Sequence, residues 1–450
     1  LRVKIVAQNE IWNEFSSGTP DATALRRYMK MLYDRASTEA EMPKYLLLFG
    51  DGAFDNRMKT SMWKNADPKN FILCFESENS VSHVESFVTD DYYALLDDNE
   101  ALKTGTQYTG LPDVAVGRLS ARSATEAKIL VDKILHYVND SETGTWRNTA
   151  VFMGDDGNGN LHMNDAEKAA QLFVSLQPSI DVKKVMWDAY PIVTTSTGDG
   201  YPEVTKLLRQ YMQNGALLMN YSGHGRADCI SHEMVLKLSD FSSIKTSRLP
   251  MWITASCDIM PFDSQEDNIG ETAMSYADGG SIAFLGTTRT VYADRNSTIN
   301  RATIKNLFTK GTDNKMPTIG EAVRKAKVEL GTVSPPGTSS EGKLQDLSIN
   351  KLQYVLLGDP AIRLHTPELT VVADTINGVP TAGDNLITLK AGQTVKVAGH
   401  ISDGNRQLND FNGTMTATVK GAEETIVCRL NNTSSDGAET AFSYVDRTNV

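Results

Sequence analysis

The chain has 450 residues, 40% of them hydrophobic and 22% charged, with a mean hydropathy of -0.31. That composition suits a folded chain long enough for two or three domains and argues against a disordered polymer. The net charge of -12 repels a phosphate backbone and no Lys/Arg block offers a local exception, which counts against nucleic acid as a partner.

The N-terminus, "LRVKIVAQNEIW", has no initiator Met, charged leader or cleavage site, so the chain is expected to be the interior of a longer precursor. "LRVKIVA" and "KYLLLFGDG" read as buried strands, with a helical segment around Ala24 to Ala36 between them. "DVAVGRLSA" is a further strand. The clearest helix follows it: Ser123 and Glu126 form an S-x-x-E capping box, and Ala127, Leu130, Val131, Ile134, Leu135 and Val138 fall at the spacing of one buried face. The loop "NDSETGTW" closes a first α/β subdomain, residues 1–148.

A second α/β subdomain, residues 149–366, has a cleaner series: "TAVFMGDD", "DVKKVMWDAY", "ALLMNYSGHG", "LPMWITASCD" and "GGSIAFLGTTR". Continuous apolar runs separated by helical segments predict a largely parallel sheet covered on both faces. No run approaches the roughly 20 apolar residues needed to cross a bilayer. After "YVLLGDPAIRL" the chain turns rich in Thr and Val, with Gly/Asp/Asn turns and no helical period. Residues 367–450 are therefore expected to be an immunoglobulin-like β-sandwich, truncated at Val450.

In parallel sheets, sites form beyond the carboxyl ends of the strands. Those ends in the second subdomain carry Asp155 and Asp156, Asp188, His224, Cys257, and Thr288 with Arg289. These include the residue types of nucleophilic catalysis by cysteine: a thiol, a base to take its proton, and a carboxylate to orient the imidazole. Cys257 follows "MWITAS" and His224 ends "NYSGHG", about one strand–helix–strand unit apart. Gly223 suits a tight turn, and Gly225 leaves its backbone N–H open to a substrate carbonyl. The rivals are weaker: Cys229 sits in a polar loop, and His232 and His162 lack the strand-exit context. Asp156 is the candidate carboxylate, with Asp155 its immediate competitor.

The four cysteines (Cys74, Cys229, Cys257, Cys428) have neither disulfide-framework nor zinc-like spacing. The chemistry requires no cofactor and no metal. A structural calcium is conceivable at "FGDGAFDN" (Gly50 to Asn56) or "VTDDYYALLDDNE", although both lack EF-hand spacing and read more simply as surface turns.

"NYSGHG", "ITASC" one strand later, "GGSIAFLGTTR" and "LLGDPAIRL" before a Thr/Val-rich module together resemble peptidase family C25, the gingipain family. The resemblance implies a caspase-like α/β fold with two subdomains and an immunoglobulin-like module. It implies His224 as base, Cys257 as nucleophile, Asp156 as the acidic third member, and the amides of Gly225 and Cys257 as the oxyanion hole. Asp165 matches a further Asp of the family loop.

The nucleophile is followed by "CDIMPFDSQEDNIGET", unlike the Asn-Gly-Asp-Phe-like segment of the secreted gingipains. Here the chain is more similar to the cell-surface sortases of type IX secretion in Bacteroidetes. That resemblance implies an enzyme on the outer-membrane surface, working with other type IX components. It would cleave C-terminal signal domains from exported cargo and pass the acyl group to an amine of anionic lipopolysaccharide. Two alternatives remain: a secreted gingipain-like endopeptidase, and a non-enzymatic surface binding domain.

Overall fold

The computed structural model describes all residues except 1, 80–81, 140–142, 197, 334–343, 384–385, 391, 405, 414–422, 428–440 and 445–450. Its centre is an eight-stranded sheet made of β1 (Tyr45–Phe49), β2 (Ala115–Leu119), β3 (Thr149–Gly154), β4 (Asp181–Met186), β5 (Leu218–Ser222), β6 (Met251–Ala255), β7 (Ala283–Thr287) and β8 (Tyr354–Leu357). The spatial order is β1-β2-β8-β7-β6-β5-β3-β4. All pairings are parallel except β7 with β8.

The strands are apolar throughout because both faces are covered. Along β3, Val151 and Met153 join one core cluster while Ala150 and Phe152 join the other. Trp252 and Phe284, neighbours on β6 and β7, stack on the first face with centroids 6.2 Å apart. Side chains α5 (Pro202–Asn214) and α6 (Ile269–Ser275) contribute include Leu208 and Ala273 on that face; Ala302 of α7 (Ala293–Leu307) and Ala322 of α8 (Ile319–Gly331) lie on the other. A fully buried aromatic or aliphatic side chain contributes about 1.5–3 kcal/mol through the water it no longer orders. The two clusters are therefore the main source of stability.

Several expectations change. Residues 2–7 form no strand, and Val3 and Ile5 are exposed; the chain instead enters α1 (Gln8–Phe15) and α2 (Ala22–Arg35). In α3 (Ala124–Asn139) the Ser123 cap is present, its Oγ accepting from Glu126 N–H, but Glu126 reaches back to Arg122 N–H. The buried face of α3 is Leu130, Lys133 and Tyr137, whereas Val131, Leu135 and Val138 are exposed. Lys133 reverses the hydropathic reading because its Nζ donates to the carbonyls of Ala273, Met274 and Gly279, satisfying acceptors around the end of α6.

The chain divides into two units, Leu1–Leu364 with Glu423–Val450, and His365–Ala422. The turn before β3, where the boundary at residue 148 was expected, lies inside the first unit, and the sheet runs across it. Among its described residues the second unit holds one sheet of three strands, β9 (Thr370–Ile376), β10 (Val379–Pro380) and β11 (Val397–Ser402). The hairpin of β12 (Glu424–Val427) and β13 (Ala441–Tyr444) belongs to the first unit. Its Phe442 and Tyr444 are buried in the first core cluster, and Lys184 Nζ of β4 lies 5.6 Å from the Tyr444 ring centroid. Cys428 lies outside the described residues.

The acid-rich turns considered for calcium are occupied by cations and amides. Arg118 forms a buried bidentate pair with Asp90 at 2.7 and 2.9 Å, and Arg122 Nε meets Asp51 at 2.5 Å. Lys327 donates to both oxygens of Asp91, and Asp55 accepts from the amides of Arg57, Lys59 and Thr60. Asp51, Asp90 and Asp91 are buried ion-pair anchors and not surface turns.

Candidate active site

The site lies where β3, β5 and β6 leave the sheet. Gly154 pairs with Ser222, and Ser222 pairs with Ala255. The ladder continues one step through Asp155 N–H to Ser222 O and Gly223 N–H to Ala255 O, both 3.2 Å. Asp156, His224 and Cys257 each lie two residues beyond the last pair on their strand. Parallel strands lie about 4.8 Å apart, so the exits of these neighbouring strands lie side by side.

Each glycine has a spatial reason. A Cβ on Gly223 would run into the Tyr221 hydroxyl and lie 2.6 Å from Asp155 Oδ2. Gly223 is needed for that close approach, since its φ is not in the left-handed region that the expected tight turn would use. A Cβ on Gly225 would collide with Ser256 Oγ and come within 2.6 Å of Ile259 Cδ1. Gly225 therefore lets the histidine exit pack directly on the nucleophile exit.

Cys257 is partly exposed. Its Sγ donates to Val291 O at 3.4 Å and accepts from Val291 N–H at 3.5 Å. Asp258, the next residue, holds φ 47, an uncommon value for a residue with a Cβ. That conformation is pinned by Asp258 N–H to Arg289 O and by Thr290 Oγ1 to Asp258 Oδ2 at 2.6 Å. Burial pushes the Cys257 thiol up, opposed by the Val291 amide and reinforced by Asp258.

His224 is half-buried, and burial pulls its imidazole down; Asp155 opposes that shift most strongly, and His162 and His232 add to it. Asp155 is buried and takes three donors: His224 N–H at 2.5 Å, Gly157 N–H at 3.0 Å and the Tyr221 hydroxyl at 3.0 Å. Tyr221 also donates within reach of His224 O, 2.7 Å away. Asp156 is half-buried and accepts from the Tyr201 hydroxyl at 2.6 Å. The acidic pair thus divides: Asp155 is bound to the backbone of the histidine turn, and Asp156 to the Tyr201 hydroxyl.

The remaining strand-end residues have structural duties. Arg289 is held by Asp263 at 2.6 and 2.9 Å, and Thr288 donates toward the carbonyls of Val88 and Gln353. Asp188 is buried in the turn after β4. Asp165, on α4 (Leu161–Leu176), lies 3.6 Å from Lys168 of the same helix. Cys74 and Cys229 are free and buried, and burial raises both thiols. No group of His, Cys, Asp and Glu among the described residues is arranged to hold a metal ion.

Sequence reasoning missed three participants. Gly157, Tyr221 and Tyr201 hold the histidine and the two aspartates, yet none belongs to a catalytic residue type at a strand end. His162 and His232, set aside as rival bases, instead touch the His224 ring: His162 edge-on at 4.9 Å between centroids, His232 stacked at 4.3 Å with planes 12° apart.

The fold has known counterparts. The Arg-specific cysteine proteinase gingipain R (RgpB) is 17% identical, covering 80% of this chain and 73% of its own, with a TM-score of 0.57. The complex of Porphyromonas gingivalis RgpB pro- and mature domains gives 17%, 80%, 74% and 0.56. Both share the caspase-like α/β fold of the first unit. Dimeric latent PorU from Porphyromonas gingivalis is 25% identical over 98% of this chain, which spans about a third (34%) of that one, with a TM-score of 0.44. No curated protein sequence matches the chain. The model of peptidase family C25 matches residues 1–365, the whole of the region that builds the eight-stranded sheet. The chain belongs to peptidase family C25.

Proposed function

We propose that this chain is a cysteine peptidase in which Cys257 is the nucleophile and His224 the base, and that it works as a transpeptidase on exported proteins. The observation that carries the catalytic part is the register Gly154–Ser222–Ala255, which brings three strand exits to one level. With the thiol raised and the imidazole lowered, both groups rest neutral near pH 7. His224 therefore takes the Cys257 proton as Sγ attacks the scissile carbonyl, and returns it to the leaving amine. The amides of Gly225 and Cys257 hold the oxyanion. Asp156 is the acidic third member by family resemblance, and Asp155, whose charge acts more strongly on the imidazole, both favours the transient imidazolium and fixes the turn that carries it. A thioester remains, with no cofactor required.

What takes the acyl group separates the finer readings. Water makes an endopeptidase of the gingipain type; an amine makes a sortase. The segment "CDIMPFDSQEDNIGET" supports the sortase reading, since it departs from the secreted gingipains directly after the nucleophile. On this reading the enzyme acts at the outer-membrane surface, removes C-terminal signal domains from type IX cargo, and transfers the cargo to lipopolysaccharide. The Thr/Val-rich strand pattern, with His365–Ala422 forming a unit of its own, supports an immunoglobulin-like origin for that part of the chain. No described helix is long and apolar enough to cross a membrane.

The test is incubation of intact cargo with an amine acceptor, read by mass spectrometry of the new C-terminus. An amide-linked acceptor supports transfer, and a free carboxylate supports hydrolysis. Uncut cargo, with no preferential labelling of Cys257 by a thiol probe, favours the binding-domain alternative.

A further inference from the structure

The three histidines form one contiguous cluster that the reaction, as written above, uses only in part. A ribbon creates it. Gly225–Arg226 pairs antiparallel with Cys229–Ile230, which pairs with Leu236–Lys237. Ser231 N–H donates to His224 O at 2.9 Å, and Ser231 holds φ 63. The chain is thereby folded back so that residue 232 stands over residue 224. Ser231 has a Cβ, so the left-handed conformation costs energy that the surrounding hydrogen bonds must outweigh. A strained turn that lays an imidazole, itself still exposed, onto another ring points to a role for the contact.

The ring of His224 is enclosed on three sides. His232 covers one face at 4.3 Å, the ring of buried His162 stands edge-on at 4.9 Å, and Gly157 closes on the Cδ2–Nε2 edge. The charged and titratable surroundings come from three elements: Asp155 and Asp156 from the β3 exit, His162 and Asp165 from α4, and His232 with Glu233 from the ribbon. Stacked imidazoles cannot both carry a positive charge cheaply, because like charges a few ångströms apart disfavour each other's protonation.

We propose that His232 is a positioning residue for the peptidase reaction: stacked on His224, it fixes the plane in which that imidazole takes and returns the Cys257 proton. This rests on the peptidase reading. The stack restricts rotation of the imidazole about its bond to Cβ, so the nitrogen facing the crevice is aligned before substrate arrives.

The test uses the full chain, with His232→Ala, which removes the stack, and His232→Phe, which keeps an aromatic face without a titrating nitrogen. Misalignment of the base is expected to lower kcat by roughly 10- to 100-fold in His232→Ala with KM nearly unchanged. His232→Phe is expected to recover kcat to within about 3-fold of the parent, since an offset ring supplies the same stacking surface. Proton NMR of imidazole carbons labelled with carbon-13 follows His224 without any substrate. Both variants should raise its titration midpoint, because His232 is one of the neighbours that lower the His224 imidazole. The proposal is overturned if His232→Ala keeps the parental kcat, if His232→Phe is as slow as His232→Ala, or if the His224 titration moves in neither variant. Parent protein inactive on cargo, with Cys257 labelled no faster than Cys229, counts against the peptidase reading; the NMR titration still decides the stack.

Discussion

Gly157 lies so close to the imidazole of His224 that no methyl group fits between them: a Cβ at residue 157 would stand 2.6 Å from Cδ2 and 2.8 Å from Nε2. Gly157→Ala is therefore expected to push the base out of line. Misplacement on this scale costs about 10- to 100-fold in kcat/KM. Thermal unfolding of the variant should be little changed, because the residue sits in a half-buried loop. Peptide cleavage kinetics beside a melting curve checks both, and an unaltered kcat/KM would contradict the geometry.

The resting state of the nucleophile is testable without a substrate. Burial raises the Cys257 thiol and lowers the His224 imidazole, so a preformed thiolate–imidazolium pair is disfavoured. Alkylation of Cys257 by iodoacetamide should rise steadily with pH through the neutral range. An acid plateau in the second-order rate, the mark of a stable ion pair, would count against this arrangement.

Substitution of the two aspartates should separate stability from rate. Asp155→Asn places an amide NH2 where donors from His224, Gly157 and Tyr221 converge. It should lose about 1–3 kcal/mol for the buried groups left unpaired, along with activity. Asp156→Asn should unfold at nearly the parental urea concentration and lose mainly kcat. The opposite pattern would exchange the two roles.

His162 gives a pH dependence of known sign. Burial pulls its imidazole down to about 4 from an ordinary 6.5. The unfolded chain then binds the extra proton between these values. Stability is complete above pH 6.5 and is lost as pH falls toward 4, by up to about 3 kcal/mol for a shift of this size. His162→Phe should flatten the acid limb of stability measured by urea unfolding between pH 4 and 7. A limb of undiminished slope would place the acid sensitivity elsewhere.

Asp90 and Arg118 form a pair that neither partner survives alone. Both are buried, and the guanidinium also donates to the carbonyls of Gly50 and Asp51. Asp90→Ala should cost about 3–5 kcal/mol by leaving a buried charge uncompensated. Replacing both partners with apolar residues should restore part of that loss, which a double-mutant cycle in urea would reveal.

The strands of the second α/β series were legible because a sheet buried on both faces leaves continuous apolar runs between turns. Thr149–Gly154, Leu218–Ser222, Met251–Ala255 and Ala283–Thr287 each coincide with such a run. "LRVKIVA" carries the same local signal, and its described residues 2–7 form no strand, because strand pairing depends on a partner edge that a local pattern does not encode. The face of α3 was misread for a related reason: Lys133 is buried by three carbonyls from a distant segment, and no periodicity reports those acceptors.

His224 and Cys257 stood out in the sequence because catalysis needs particular residue types, and strand ends are where a parallel sheet presents them. The alignment of their strand exits, the reasons for Gly157, Gly223 and Gly225, and the stack of His232 on His224 arise from strand register and chain reversal. Those are relations between residues far apart in the chain, set by which backbones hydrogen-bond and which side chains must share space. The amino-acid sequence by itself determined the chemical groups and the segments that carry them; tertiary packing decided which of those groups meet.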